Sequence, residues 1–545
     1  MSAHATAAPA HPSASRVTSW LGLAALLLFA LGLRLAMWNG PFGSDDLTYL
    51  ARSGAVAAGD WSSADYNGAL RYGFNLPAGM LMVLFGYSAF AANLWPLLCS
   101  LIEVALVWLF VRHEGGARAA GLAGVLLATA PLHVAVATRI HADAVVSMFL
   151  TLAFVLLWFG LRQGRRGLLF AAGLAMGGVF WSKELAAVTW IAMLPLLVLF
   201  RGRWRDLPPI LAGVVLALLA HGLLMMAIAG DPLHLVRTVL AQLQRGFIGG
   251  GTGEDSPGYY LRYLLLDIRH TALLGPLALL GLLLTLRSRL AAPRKPIDGA
   301  SFAALWLLGL LLVLSVLPVS LSPLRFTMKQ SNYITLFLAP LAVLAGIALA
   351  RAPTRWMGIG VLAATSSGLL LAALQQADYR AFVGNSKALA LWIDEQAPAV
   401  RLVGSTNNAA LGSRWQLPPV GGAKRRPILA WRDLAQDPAP TAVSTPAAVG
   451  DIAWHVAIDP QTLGWHAGPE ALSAPLACWE RVDSVEPVDL AWSNHAAAAL
   501  ADGVRWLAGS GAAARLATQL EQLGRPRPAE VYQAPGPYPA RCPAE

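Results

Sequence analysis

The sequence predicts an all-α polytopic membrane bundle of about eleven transmembrane helices, followed by a small C-terminal α/β domain. Three observations predict it. Of 545 residues, 56% are hydrophobic and only 13% charged, against about 25% charged in a soluble domain. Leu and Ala dominate in long runs, unlike the roughly ten-residue alternating segments of a β-barrel. After about Gln376 the composition changes, and prolines, acids and isolated tryptophans replace the apolar runs.

The apolar runs fall near 18–38, 91–111, 118–136, 144–161, 167–182, 185–200, 208–229, 270–287, 302–320, 331–350 and 356–375. A helix needs about 20 apolar residues to cross the hydrocarbon. Residues 1–17 form a cytoplasmic tail, with Met1 to Ser15 rich in Ala, His, Pro and Ser and expected to be disordered. No small-residue cleavage site follows Trp20 to Trp38, so the first helix is read as uncleaved.

Loop charge sets the orientation. Arg112, His113 and Arg118 follow the second run; Arg162, Arg165 and Arg166 the fourth; Arg201, Arg203 and Arg205 the sixth. Arg287, Arg289, Arg294 and Lys295 follow the eighth, and Arg351 and Arg355 the tenth. All these loops share one side, which the positive-inside rule makes cytoplasmic. The formal net charge of +10 is therefore accounted for by these loops, and no nucleic-acid partner is expected. The expected location is the cell inner membrane, with the N-terminus cytoplasmic and the C-terminal domain periplasmic.

The transmembrane domain covers 18–376 and the periplasmic α/β domain 377–545. The first outer loop, 39–90, holds Asp45, Asp46, Asp60, Asp65 and Arg71 with Trp61, Tyr66 and Tyr72. A second outer loop, 230–270, contains the run Gly249-Gly250-Gly251-Thr252-Gly253, read as a mobile loop because no strand precedes it and no lysine follows. The third, Leu321 to Gln330, is short. In the C-terminal domain the expected elements are a helix over Asp378–Gln396 and strands over Val400–Ser405, Pro427–Arg432, Asp451–Ile458 and Cys478–Val485. A helix over His495–Leu523 follows. The domain carries no catalytic motif and suits a structural or acceptor-docking role. Cys478 and Cys542 are the candidates for a disulfide there; Cys99 lies in an apolar run.

Four outer-face signals could carry chemistry. Asp45 and Asp46 suit the N-cap of a helix beginning near Leu47, and mutual repulsion of adjacent carboxylates can also make one a general base. Asp143 either begins the fourth helix or is a functional acid at the membrane edge. Lys183-Glu184 interrupts an apolar stretch, as a solvated turn would or as a binding pair would. Arg325, Lys329 and Tyr333 stand four apart, the spacing of one helical face. Outer-face cations run against the positive-inside bias and suit a phosphate, with lipid headgroups the plainer partner. Within the spans, Arg34, Glu103 and His221 are the charged or titratable groups a transporter or flippase would use, and Arg34 is close enough to its helix end to snorkel.

Over residues 18–380 the chain resembles the GT-C membrane glycosyltransferases, nearest the branch of protein O-mannosyltransferases and the aminoarabinose transferase acting on lipid A. The resemblance is carried by Asp45-Asp46-Leu47-Thr48-Tyr49-Leu50-Ala51, by Leu84-Phe85-Gly86-Tyr87-Ser88-Ala89-Phe90, and by Ala130-Pro131 through Asp143 with Gly177-Gly178-Val179-Phe180-Trp181-Ser182-Lys183. Lys329-Gln330-Ser331-Asn332-Tyr333 with Pro340 completes it. It implies a polyprenyl-phosphate-linked sugar donor and inverting transfer at the periplasmic face to a lipid, glycan or protein. It implies Asp45 as catalytic base, Asp46 and Asp143 as supporting acids, and Arg71, Lys183, Arg325, Lys329 and Tyr333 as phosphate or substrate contacts. No cofactor is required; a divalent cation could use Asp45, Asp46, His141 and Asp143. Two features depart from the family: its usual Asp-Glu pair is Asp-Asp here, and its Lys-Pro-Pro element is reduced to Asn75-Leu76-Pro77, with Arg71 as the nearby cation.

This topology makes a direct prediction. In a cysteine-free background, a membrane-impermeant thiol reagent supplied from outside reaches cysteines placed by Asp46→Cys and Arg325→Cys. Labelling of either from the cytoplasmic side overturns the orientation.

Overall fold

The structure is a computed structural model that describes residues 12–43, 45–62, 64, 66–194, 197, 204–248, 256–293, 296–322, 324–327, 329–396, 400–416, 428–436, 453–466, 471–507 and 511–535. The chain forms two compact units. One comprises Met1–Ala36, Pro96–Ala137 and Ala142–Leu369; the other comprises Met37–Trp95, Thr138–His141 and Leu370–Glu545.

The first unit is a helix bundle. Among the described residues, seven helices are long and apolar enough to cross a membrane: Ala89–Ala128, Ala142–Gln163, Trp204–Ala229, Leu274–Ala291, Gly299–Val316, Ser331–Arg351 and Thr354–Glu395. Shorter apolar helices cover Trp20–Ala36, Tyr72–Phe85, Arg166–Ser182 and Glu184–Met193. Labels used below are α1 (Pro12–Ala36), α2 (Asp45–Ala57), α3 (Tyr72–Phe85), α4 (Ala89–Ala128), α5 (Pro131–Ala137), α6 (Ala142–Gln163), α7 (Arg166–Ser182) and α8 (Leu207–Ala229). Helix α4 holds the second expected span and the first part of the third, whose remainder, after a break at Thr129-Ala130, lies in α5. Gly116, at φ 83° and ψ 177°, breaks α4 at the basic loop, in a conformation that side-chain-bearing residues rarely adopt. Pro12 to Ser15, expected to be disordered, are instead the first turn of α1.

The helix Thr335–Arg351 lies at the centre of the bundle, buried at every position from Thr335 to Leu349. That explains why it is apolar all round rather than on one stripe. Phe154 stacks on Trp306 with ring centres 4.5 Å apart, and Trp158 and Phe302 pack beside them at 4.9 Å. Helices α7 and α8 meet backbone to backbone. A Cβ on Gly173 would strike the carbonyl oxygen of Ile210, and one on Gly213 the carbonyl oxygen of Phe170. Small residues at such crossings let dispersion hold two helices that apolar burial alone cannot drive together in lipid.

Two local expectations fail. The segment expected as a loop from Leu321 contains an antiparallel hairpin of β1 (Pro318–Leu321) and β2 (Leu324–Phe326). Proline stops the preceding helix, and Val319, Leu321, Leu324 and Phe326 supply period-two apolarity. The sixth span, expected over 185–200, is a 3₁₀ helix over Glu184–Met193; its remaining part lies largely outside the described residues.

In the second unit, β3 (Val400–Gly404), β4 (Ile428–Ala430), β5 (Ala453–Ile458), β6 (Glu480–Val485) and β7 (Ala529–Ala534) form one sheet in the order β4-β3-β5-β7-β6. Strand β3 pairs parallel with β4 and β5, and β7 pairs antiparallel with β5 and β6. Strand β7 was not among the expected elements. The helix Thr354–Glu395 runs unbroken through the composition change at Gln376. Polarity marks where a helix can meet water, whereas only propensity and breakers mark where it ends, and Gln375-Gln376-Ala377-Asp378 contains no breaker. The helix expected over 495–523 is two helices, Trp492–Leu507 and Ala512–Gly524. Cys478 is disulfide-bonded; Cys542 lies outside the described residues, as does the glycine run 249–253.

The glycine crossing sets a prediction. Gly173→Val forces α7 and α8 apart and lowers stability by about 1–3 kcal/mol, the usual cost of overpacking. Thermal denaturation of detergent-solubilised protein measures it, and an unchanged midpoint would refute the contact.

Candidate active site

Helix α2 begins at Asp45, two residues before the expected start near Leu47, so both acids lie within its first turn rather than ahead of it. The two acids then part company. Asp46 is fully buried and accepts a fork from Arg139, with Nη2 at 2.8 Å and Nε at 3.1 Å, plus the backbone N–H of Phe42 at 3.3 Å. Burial pushes the Asp46 carboxyl above the usual carboxylate range, while Arg139 and His141 pull it back. The Arg139 guanidinium lies 4.5 Å from the Phe42 ring centre and 4.7 Å from that of Tyr379. Phe42 in turn packs on Phe382 at 4.5 Å and on Trp465 at 5.0 Å. Asp45, by contrast, is partly exposed, and its Oδ1 accepts the hydroxyl of Tyr66 at 2.5 Å. Arg71 is buried beside them and donates to the hydroxyl of Tyr49.

In the first unit, Asp143 opens α6 and is fully buried. Lys183 Nζ lies 2.8 Å from its Oδ1, and Asn332 Nδ2 donates to its Oδ2 at 3.1 Å. The same ammonium sits 4.5 Å above the Tyr333 ring. The bond made by Lys183 is possible because α7 ends there: its residue after Ser182 turns extended, at φ −160° and ψ 97°. Lys329 is buried with its ammonium 5.2 Å from the Phe326 ring. Arg325 is exposed on β2.

A second polar cluster lies in the same unit. Arg34 donates to Ser100 Oγ at 2.7 Å and to His133 Nδ1 at 2.7 Å, and His133 Nε2 faces Glu103 at 3.3 Å. Glu103 also receives the hydroxyls of Ser147 and Thr151, both at 2.8 Å.

Residues 74–225 match the family model described as dolichyl-phosphate-mannose-protein mannosyltransferase, PMT_2. Among solved structures, ArnT from Cupriavidus metallidurans bound to undecaprenyl phosphate superposes with a TM-score of 0.54 at 18% identity, over 86% of this chain and 97% of that one. The archaeal oligosaccharyltransferase AglB from Archaeoglobus fulgidus, solved with an inhibitory peptide and a dolichol-phosphate, gives 0.52 at 12% identity, over 95% and 88%. This is a membrane protein with the GT-C glycosyltransferase fold. YkcB, a candidate mannosyltransferase of Bacillus subtilis (strain 168), is 33% identical over 118 residues, which are 22% of this chain and only 16% of that protein.

Within this GT-C fold the structure gathers Asp143, Lys183 and Tyr333 into one cluster of the first unit, with Asn332 added. Asp45, Asp46 and Arg71 lie on neighbouring elements of the second unit. Three expectations need correction. Arg325, Lys329 and Tyr333 do not share a helical face: β2 ends at Phe326 and a 3₁₀ turn begins only at Ser331. The environment of Asp46 is set by burial and by Arg139, not by repulsion from Asp45. Arg34 does not snorkel, being fully buried and hydrogen-bonded inside the bundle. Asp46 is fully buried and Arg325 exposed, so the outside reagent reaches Arg325→Cys and not Asp46→Cys, and the topology test rests on position 325.

Arg139 and Tyr66 were missed by sequence reasoning. On the expected topology Arg139 falls on the same side as Arg325 and Lys329, so the argument that singled out those two applies to it equally. Nothing in the sequence marks Tyr66 among the loop aromatics. Among the described residues, no group of three or more His, Cys, Asp or Glu side chains could hold a metal ion.

Arg139→Met leaves Asp46 buried without its fork. Removing one member of a buried pair costs about 3–5 kcal/mol, so the melting temperature falls well below that of the parent protein. A midpoint within error of the parent would show that the fork contributes nothing.

Proposed function

We propose that this chain transfers a sugar from a polyprenyl-phosphate donor to an acceptor hydroxyl, by a single inverting displacement at the periplasmic face. The observation that carries the reading is the division of labour between the adjacent acids. Asp46 is sealed by Arg139, while the partly exposed Asp45 already holds a hydroxyl at 2.5 Å. That is hydrogen-bond reach for a general base. The acceptor hydroxyl takes the place of the Tyr66 hydroxyl on Asp45 and gives up its proton to that carboxylate. Its oxygen forms the new bond to the anomeric carbon from the face opposite the leaving group, which inverts the configuration. The bond from the anomeric carbon to the phosphate oxygen breaks, and its electron pair leaves on the polyprenyl phosphate.

Cations stabilise the charge growing on that phosphate. Arg325, exposed on its hairpin, meets the anionic donor, while Lys183 and Lys329 hold their ammonium groups on aromatic rings. Asp143 fixes the direction of Lys183. Arg71 supplies the cation of the first loop. The likeness to proteins solved with undecaprenyl phosphate and dolichol-phosphate supports a lipid-phosphate donor.

The alternative, a lipid or small-molecule transporter or flippase, anticipates charged groups in mid-span, with Arg34, Glu103 and His221 as its candidates. Arg34 and Glu103 are joined through His133 and bond to bundle hydroxyls, and His221 packs edge-on against Phe180 and Trp181. That arrangement favours a fixed internal scaffold over a substrate path.

In membranes containing the full-length protein and polyprenyl-phosphate-linked mannose or aminoarabinose, Asp45→Asn lowers the transfer rate by roughly 10²–10⁴-fold, the usual contribution of a general base. Intact transfer by the variant removes Asp45 as base. Failure of the parent protein to consume any lipid-linked sugar removes the transferase reading itself.

A further inference from the structure

The buried cluster around Glu103 and the Asp143–Lys183 pair share helix α6. Arg34 can only donate, so His133 Nδ1, 2.7 Å from its Nη2, must be the acceptor. The ring proton of His133 therefore sits on Nε2, facing Glu103 Oε2 at 3.3 Å. The other carboxylate oxygen takes Ser147 and Thr151. Arg34, Glu103, His133, Ser147 and Thr151 are all at most 1% exposed.

Asp143, Ser147 and Thr151 follow one another at four-residue intervals, so they line one face of α6. The Ser147 hydroxyl also lies 3.1 Å from the carbonyl oxygen of Thr335. The Thr335 hydroxyl donates to the carbonyl of Asn332, and Asn332 donates to Asp143. Ser147 gives its single proton to Glu103, the nearer of its two acceptors, while Asn332 holds Asp143 one turn earlier on the same helix. Glu103 thus grips α6 at Ser147 and again one turn further on at Thr151. Two hydrogen bonds from successive turns fix both the rotation and the depth of a helix. Apolar packing of equal volume would stabilise the bundle as well without fixing either.

We propose that Glu103 is a positioning residue for the Asp143–Lys183 pair. It sets α6 so that Asp143 meets both Lys183 and Asn332, and so fixes the ammonium of Lys183 where the donor phosphate binds. This rests on the reading of Lys183 as a phosphate contact. His133 and Arg34 complete the device: the guanidinium balances the carboxylate, and the imidazole between them cannot move its proton because Arg34 faces its other nitrogen.

The test uses the full-length protein in lipid nanodiscs, with undecaprenyl phosphate as the probe and its affinity as the readout, beside the melting temperature. In Glu103→Gln, either orientation of the amide turns one acceptor contact into a donor. The affinity of Glu103→Gln falls by about 10- to 100-fold, the scale of a misplacement near 1 Å. Lys183→Gln falls similarly, and the double variant binds no more weakly than the weaker single one. Thr151→Val, which removes one grip at nearly constant volume, gives a smaller loss in the same direction and stands in if Glu103→Gln does not fold. Parent-like affinity in a folded Glu103→Gln, or losses that multiply in the double variant, overturns the inference alone. Parent-like affinity in Lys183→Gln overturns the phosphate reading and this inference with it.

Discussion

A charge inside an apolar bundle is tolerated only when an opposite charge or a full set of hydrogen bonds meets it. Three fully buried carboxylates among the described residues obey the same constraint, Asp143 and Glu103 in the bundle and Asp46 in the second unit, each by a different route. Asp46 takes the fork of Arg139, Asp143 takes Lys183 and Asn332, and Glu103 reaches Arg34 through the ring of His133. In each case the partner comes from a distant part of the sequence, so the pairing sets which segments lie side by side. The bundle's apolar surfaces are nearly interchangeable by comparison, since Leu against Leu is as good at one register as another. The polar matches choose the register.

The same constraint separates the acid that holds structure from the acid proposed as the base. Asp45 and Asp46 are adjacent and chemically identical. Helical geometry sends neighbouring side chains about 100° apart, so one points into the protein and the other toward its edge. The inner one is consumed by its ion pair. The outer one keeps contact with the hydroxyl of Tyr66. What tells the two acids apart is which way each side chain faces.

Much of this was legible in the sequence. Apolar length located most of the bundle's helices, because the bilayer imposes a length that leaves a mark of about 20 residues per crossing. The acid pair, Asp143 and Lys183 stood out because charge is scarce in such a chain. Pairings did not. Nothing in spacing says that Lys183 reaches Asp143 or that Arg139 reaches Asp46, since both depend on how helices far apart in sequence are placed. The hairpin at Pro318–Phe326 was obscured because its alternating apolar residues continue an apolar helix. The unbroken helix Thr354–Glu395 was obscured because composition changes along it while helix propensity does not. Arg34 sits where a snorkelling arginine also would, and only the positions of Ser100 and His133 separate the two outcomes.

The Arg34–His133–Glu103 triad has an evolutionary consequence. Each member satisfies the next, so a single exchange for an apolar residue strands a charge or a ring nitrogen in a medium that cannot solvate it. Exchanging all three for well-packed hydrocarbon leaves nothing stranded. The path between a charged and an apolar core at this position therefore crosses a valley: the intermediates are worse than either end. A lineage that acquired the triad is held to it, whether or not a better-packed alternative exists.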